Sequence, residues 1–277
     1  MSEDRRLRIN KDTKLCMSLA SRPGNFGTRL HNFLYAAMDL NYLYKAFTTT
    51  DLKSAIVGIR ALAIRGCAIS MPFKEEVMQY LDHIDPSAAR ICAVNTIVND
   101  DGVLTGFNTD YTAIHEIVAD RAVPLSARIC VFGSGGMAKA IVSALDEARY
   151  RAVSIVARNA KTGGLLAEKY GYRWFHEIPQ GERFEVLINA SPVGMFPDTQ
   201  SCPFSEKQVR DAEIVIDSVA NPVHTQLIRT AVTLKKAYVT GFDITIIQSI
   251  KQFHMYTGVL PDEPTLKAAR GFVQASI

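Results

Sequence analysis

Val131-Phe132-Gly133-Ser134-Gly135-Gly136-Met137-Ala138-Lys139-Ala140 decides the fold. The run Arg128–Phe132 that leads into it is mostly apolar and reads as a buried parallel strand. Gly133-Ser134-Gly135-Gly136 forces a tight turn, and from Met137 to Ala148 the apolar residues Met137, Ile141, Val142 and Leu145 mark one face of a helix. Strand, glycine turn and helix together place free backbone N–H groups at a helix N-terminus, where a phosphate group is stabilised. The spacing fits G-x-G-x-x-A. Gly133 makes the turn, Gly135 lets the backbone approach a pyrophosphate, and Ala138 lets helix and strand pack closely. Glycines in such a loop also serve turn chemistry alone, so the flanking strand and helix carry the dinucleotide reading.

Outward from this stretch the chain reads as two α/β units. Before it come a strand at Leu15–Leu19, a broken loop at 20–27 and a helix with His31, Leu34, Tyr35 and Met38 on one face. A strand at Tyr42–Phe47 follows. Thr50 or Asp51 caps the next helix, whose apolar positions are Leu52, Ala55, Ile56, Ile59 and Leu62. Gly66–Met71 is a third strand ended by Pro72, a helix follows Lys74-Glu75-Glu76 and runs to about Leu81, and Thr96–Thr105 reads as a hairpin turning at Asn99–Gly102. From Ala127 the pattern restarts, with strands at Arg128–Phe132, Val153–Ala157, Val186–Ala190, Ile214–Asp217 and Tyr238–Thr240, then helices at Ile244–Tyr256 and Pro264–Ala275. The expected arrangement is an N-terminal substrate domain with a mainly parallel sheet (1–112, with 242–277 packing back) and a C-terminal Rossmann domain (113–241). The cleft between two such units is where substrate meets cofactor.

Bulk properties narrow the partners. At 277 residues, 48% hydrophobic and 21% charged, the chain has material for two cores. A formal net charge of +3 gives no case for nucleic acid, and no apolar run is long enough for a membrane span. The charged stretch Met1–Lys14 has no signal-peptide core, and Cys16, Cys67, Cys92, Cys130 and Cys202 are isolated. They read as reduced, mostly core cysteines of a cytoplasmic protein, and the histidines show no metal-ligand spacing. A small-molecule substrate and a monomer or homodimer are expected.

The second strand of the nucleotide unit ends Ile155-Val156-Ala157-Arg158-Asn159-Ala160-Lys161, with no acidic residue to take a ribose hydroxyl. Arg158 and Lys161 place positive charge where a 2′-phosphate lies, which favours NADP over NAD, although two solvated surface cations would look the same. In the first unit, Ser70-Met71-Pro72-Phe73-Lys74-Glu75, Asn95-Thr96 and Asn108-Thr109-Asp110 put polar residues at strand ends. A lysine such as Lys74 can exchange a proton with a hydroxyl as hydride leaves its carbon, and a carboxylate such as Asp110 can fix that lysine in place. A surface lysine at a helix start and an N-capping aspartate are the plainer alternative.

Met71-Pro72-Phe73-Lys74-Glu75, Ala93-Val94-Asn95-Thr96, Asn108-Thr109-Asp110, Gly133–Ala138, the late Gly241…Gln248 and Tyr256-Thr257-Gly258 occur in the order of the shikimate dehydrogenases, which the whole chain resembles. The resemblance implies NADP-linked interconversion of 3-dehydroshikimate and shikimate, or of a close cyclic hydroxy acid such as quinate, in aromatic amino-acid biosynthesis. It implies Lys74 as acid/base and Asp110 as its partner on the substrate hydroxyls. Ser70 falls where the family has a substrate-binding Thr, Asn95 and Gln248 match substrate-binding positions, and Ser218 and Gly241 fall at positions bordering the nicotinamide. Gly133, Ser134, Gly135, Gly136, Met137, Ala138, Arg158 and Lys161 make up the cofactor side.

There are departures. The family's Ser-x-Ser-Pro falls at Asn25, Gly27 and Thr28, its Asn ahead of the Thr at Ala68, and its carboxylate-binding Tyr at Ala220. Losing such bonds to a charged group costs about 1.5–3 kcal/mol each. Arg22 or Arg29 offers a charged replacement, and the Asn25 amide can still donate. The pattern is that of the shikimate dehydrogenase-like branch. A regulator or pseudoenzyme that kept NADP binding and lost turnover is the alternative, and reduction of a folate by the same cofactor is a weaker one.

Overall fold

A computed structural model describes residues 9–120 and 123–275. Residues 1–8 of the charged N-terminal stretch lie outside the described residues. The chain divides into two compact units, one running up to Thr109 and resuming at Gln248, the other spanning Asp110–Ile247.

The first unit is built on a six-stranded mixed sheet. Its strands are β1 (Lys14–Leu19), β2 (Tyr42–Phe47), β3 (Gly66–Ile69), β4 (His83–Ile84), β5 (Thr96–Asp100) and β6 (Val103–Phe107), in the order β2-β1-β3-β5-β6-β4. β1 pairs parallel with β2 and β3, while β5 runs antiparallel to both β3 and β6. The β1–β3 part follows from its connections: α1 (Phe26–Ala37) and α2 (Leu52–Ala61) are the crossovers that parallel strands require. Beyond β3 the two-residue turn at Asp101-Gly102 makes β5 and β6 an antiparallel hairpin, and β4 pairs parallel with β6 at the edge. α2 is capped by Asp51, whose side chain accepts from the Ser54 N–H.

Four local readings are corrected. α1 begins at Phe26, inside the expected loop, with Asn25 as its N-cap. The third strand stops at Ile69 because Ser70 already enters a turn, its carbonyl accepting from the Phe73 N–H. The segment Glu76–Tyr80 is a 3-10 turn rather than an α-helix. Cys92 is exposed, whereas Cys16, Cys67 and Cys130 are buried. Two short strands, β4 and β9 (Arg173–Phe175), carried no sequence signal.

The second unit is a doubly wound sheet. Here β7 (Ile129–Phe132), β8 (Val153–Val156), β9, β10 (Val186–Asn189), β11 (Ile214–Asp217) and β12 (Ala237–Val239) lie in the order β12-β11-β10-β7-β8-β9, and every pair is parallel. That is the Rossmann order, with its reversal point beside β7. Helices α5 (Gly136–Glu147), α6 (Ala160–Tyr170), α7 (Glu206–Asp211) and α8 (Gln226–Thr233) connect the strands. β8 and β10 are buried along their whole length, as strands covered on both faces must be. Helices α3 (Pro86–Ala89), α4 (Thr109–Asp120), α9 (Gly241–Thr257) and α10 (Glu263–Gln274) complete the chain, and both unit boundaries fall within helices, α4 and α9. No helix among the described residues is long and apolar enough to cross a membrane.

Two neighbouring side chains on α1 behave differently. Asn32 clamps α1 to β2: its amide donates to the Thr28 and Tyr44 carbonyls and its oxygen accepts from the Tyr44 N–H, all at 2.8–2.9 Å. His31 is fully buried, stacked on Tyr44 with ring centroids 4.4 Å apart, and neither ring nitrogen has a hydrogen-bond partner. Burial pushes its pKa down to about 3. The native state therefore holds a neutral imidazole that the unfolded chain protonates below about 6.5. Its contribution is intact above that pH and is lost as pH falls from about 6.5 towards 3. At pH 4.5 the cost is about 2.7 kcal/mol, two pH units at 1.36 each. Urea unfolding of wild type and His31→Leu at pH 7.5 and 4.5 should show the variant gaining about that much relative to wild type. Parallel pH dependence in the two proteins would refute the assignment.

Candidate functional site

The first unit gathers its polar residues where β3 and β5 meet. The Ser70–Lys74 turn follows β3, and its backbone is held on both sides: the Ser70 N–H donates to the Leu19 carbonyl, and the Lys74 carbonyl accepts from the Val94 N–H at 2.8 Å. The Ile69 N–H donates to the Asn95 carbonyl at 2.8 Å, so Asn95 lies beside the start of this turn. Ser70 is exposed and Lys74 half-buried.

Asn95 is the hub of a buried network. Its side-chain oxygen accepts from the Thr109 N–H at 2.8 Å and from the Thr96 hydroxyl at 2.8 Å. Thr96 Oγ1 in turn accepts from Gln252 Nε2 at 2.9 Å. Asn108 is fastened alongside, its amide on the Ala93 carbonyl and its backbone N–H on Ser87 Oγ. Asp110 directly follows Thr109 in the first turn of α4 and is buried. A carboxylate there is favoured by the helix dipole. Gln248 is half-buried on α9, one turn before Gln252. Gln252 and the hydroxyl of Thr109, which donates to the same Asn95 oxygen at 3.2 Å, are members that sequence reasoning missed. The available signal was the four-residue spacing from Gln248 to Gln252, which puts both on one helix face.

The opening of α1 explains the departures in the first loop. A Cβ added at Gly27 would stand 3.3 Å from Tyr44 Oη, a tight contact that needs the tyrosine to give by a few tenths of an ångström. Asn25 is exposed and makes no side-chain cap bond, leaving its amide uncommitted. Arg29 lies over the Phe272 ring, 4.8 Å from its centroid. Arg22, exposed in the same loop, has no such engagement.

In the second unit, the end of β7 opens into a pocket of about 530 Å³ lined by Gly133, Ser134, Arg158, Asn159, Ser191 and Val193 among others. Gly133 has φ +128°, and a Cβ there would meet the Ala190 carbonyl oxygen at 2.8 Å, so only glycine turns the chain here. α5 starts at Gly136 with Gly135 as N-cap, with no side chain on its first N–H groups and no acidic residue in its first turn. Those donors and the open glycine surface suit a pyrophosphate. Ser134 Oγ reaches Thr162 Oγ1 at 2.7 Å, and Asn159 caps α6 through the Thr162 N–H. Arg158 lines the pocket, while Lys161 is exposed on the first turn of α6 and is not part of the lining. Met137 and Ala138 lie on α5 behind the loop, Ala138 buried. The pocket's shape, donors and cation fit a phosphorylated dinucleotide.

A polar network secures the loops after β10 and β11. Asp217 is fully buried, and desolvation raises its pKa against the opposing pull of its donors, Thr225 Oγ1 at 2.6 Å, the Val219 N–H and Asn189 Nδ2. Asn189 also donates to the Val193 carbonyl and accepts from Ser191. Ser218 is thereby held at the end of β11, its N–H on the Asn189 carbonyl. Gly241 begins α9 with its Cα against the Val219–Ala220 backbone, where any Cβ would come within 2.3 Å. This brings Ser218 and Gly241 to the same end of the sheet. Among the described residues no group of three or more His, Cys, Asp or Glu is arranged to hold a metal ion.

Comparison with known proteins places these features in context. The family model for the shikimate dehydrogenase substrate binding domain matches residues 26–97. The chain is similar to a shikimate dehydrogenase-like protein of Haemophilus influenzae, 44% identical over 96% of this chain and 98% of that protein. Among solved structures, a shikimate 5-dehydrogenase-like protein superposes with a TM-score of 0.93 at 44% identity, covering 96% of this chain and 99% of the other. The shikimate 5-dehydrogenase of Thermus thermophilus, solved in complex with NADP(H) and shikimate, gives 0.83 at 28% identity over 94% and 99%.

Proposed function

The chain belongs to the shikimate dehydrogenase family, in its dehydrogenase-like branch, and from that premise we propose that it is an NADP-dependent dehydrogenase that interconverts 3-dehydroshikimate and shikimate, or a close cyclic hydroxy acid such as quinate. The observation that carries this reading is the pinned Asn95 carboxamide beside the Ser70–Lys74 turn: rigid, polar and set at strand ends.

The first unit is the substrate domain and the second the NADP domain. NADP, when bound, supplies the hydride-accepting nicotinamide. Lys74 takes the proton of the substrate hydroxyl in the oxidative direction and returns it to the forming alkoxide in the reductive one. Asp110, which follows Thr109 in the first turn of α4, grips a substrate hydroxyl. Asn95, Gln248 and Ser70 hold the ring hydroxyls by hydrogen bonds. Ser218 and Gly241 border the nicotinamide, Gly133–Ala138 cradle the pyrophosphate, and Arg158 takes the 2′-phosphate with Lys161 adding its charge nearby. Arg22 and the Asn25 amide take the substrate carboxylate in place of the family's serine hydroxyls.

Three measurements test these roles. Steady-state NADPH formation from shikimate should fall at least about a thousandfold in Lys74→Ala, in line with general acid–base catalysis, with NADPH affinity kept. Activity surviving in that variant would remove Lys74 from the chemistry, and NADPH binding without oxidation of any cyclic hydroxy acid by wild type would overturn the enzyme reading. Arg22→Ala should raise the shikimate KM by about ten- to a hundredfold, the worth of one charge-assisted bond, with kcat little changed; an unchanged KM would move the carboxylate elsewhere. Arg158→Asp should weaken NADP at least about tenfold more than NAD. Trp174, the one tryptophan of the chain, donates its indole N–H to the Ala157 carbonyl and can report that titration by fluorescence. Equal losses for both nucleotides would separate Arg158 from the 2′-phosphate.

A further inference from the structure

The bonds around Asn95 have a fixed direction. The Thr109 N–H is a backbone donor, so the Asn95 atom that meets it at 2.8 Å is the oxygen. The Thr96 hydroxyl, 2.8 Å from that same oxygen, must spend its proton on it. Thr96 Oγ1 is then an acceptor, and the Gln252 atom at 2.9 Å from it must be the amide nitrogen. The same nitrogen also faces the Asn95 carbonyl at 3.4 Å. Flipping the Asn95 amide would set donor against donor, and flipping the Gln252 amide would set acceptor against acceptor.

This polarity leaves two groups unused. Asn95 keeps the N–H₂ end of its carboxamide, and Gln252 keeps its carbonyl oxygen Oε1. Both residues are buried, at 3% and 5% exposure, yet neither remaining atom is among those sealed from solvent without a partner. A donor and an acceptor are thus held on either side of one threonine hydroxyl, at the strand ends that carry the Ser70–Lys74 turn. A ligand hydroxyl satisfies both, accepting from Asn95 and donating to Gln252. A carbonyl oxygen or a bare carbon satisfies one or neither.

Resting on the function proposed above, we propose that Gln252 is a specificity-determining residue for the substrate: with Asn95 it reads one ring hydroxyl that is not oxidised. A site built around a hydroxyl discriminates strongly against the analogue that lacks it, because its own buried groups are then left unpaired.

The test compares wild type and Gln252→Met, similar in length and without hydrogen-bonding capacity, on shikimate and on two analogues that each lack one of the hydroxyls not oxidised. Gln252→Met should raise the shikimate KM by about tenfold or more, with NADPH affinity by Trp174 fluorescence unchanged. For one of the two analogues the difference between wild type and variant should collapse to near unity. An unchanged shikimate KM, or an equal loss on shikimate and both analogues, overturns the role of Gln252. Should Gln252→Met fail to fold, Gln252→Glu, which keeps an acceptor at the same reach, carries the test. Retained preference for shikimate over one analogue supports the proposal, and equal turnover of all three overturns it. Wild-type turnover of shikimate stands apart as the control on the function itself: with no turnover the parent reading fails, whereas turnover with an indifferent Gln252 removes only this inference.

Discussion

The side-chain oxygen of Asn95, 2.8 Å from the backbone N–H of Thr109, is the constraint on which the polar centre of the first unit depends. Asn95 precedes β5, and Thr109 opens α4. Because the pair is buried, breaking it would strand a donor and an acceptor away from water, at about 1–3 kcal/mol each. The bond therefore ties the entry to β5 to the first turn of α4, which carries Asp110. Gln252 joins through Thr96, so α9 is drawn into the same arrangement. Three elements distant in sequence share one polar centre, and the chemistry of that centre follows from which donors remain after the fold has used the rest.

The second unit solves a similar problem with different means. At the end of β7 nothing but backbone is needed, and Gly133 is there because any side chain would strike the Ala190 carbonyl. At the ends of β10 and β11 a carboxylate does the fastening. Asp217 is costly to bury charged, which its raised pKa expresses, and the cost is offset by three donors from Asn189, Val219 and Thr225. What is gained is positional: the 191–193 and 218–219 segments hang from one buried network rather than from solvent-exposed loops.

How far the sequence revealed this depends on the range of the interaction. The parallel strands of the second unit were legible because burial on both faces leaves an unbroken apolar run, as in Val186–Asn189. β9 was not, since Arg173-Trp174-Phe175 is an edge of three residues with no periodicity to read. Lys74, Asn95 and Asp110 stood out through their motifs. Gln252 did not, because one glutamine on a helix looks like any other until β5 is known to lie within 2.9 Å. His31 was legible only as a helix-packing residue, and its complete burial without a partner is a property of the packed α1–β2 interface, not of its neighbours in the chain.

The rebuilt first loop is a consequence of that same interface. Tyr44 stacks on His31 and brings its hydroxyl within 3.3 Å of where a side chain at Gly27 would begin. A serine there would require Tyr44 to give way by a few tenths of an ångström, and Tyr44 is held at its backbone by Asn32 and buried to 2% exposure. The loss of the serine is therefore coupled to the aromatic packing beneath it. With a hydroxyl disfavoured at that point, the polar groups nearby in sequence are those of the exposed loop, Arg22 and Asn25. Arg29 is committed to Phe272. Arg22 and Asn25 are the groups proposed for the carboxylate, and a guanidinium there would replace several neutral donors with one charged fork.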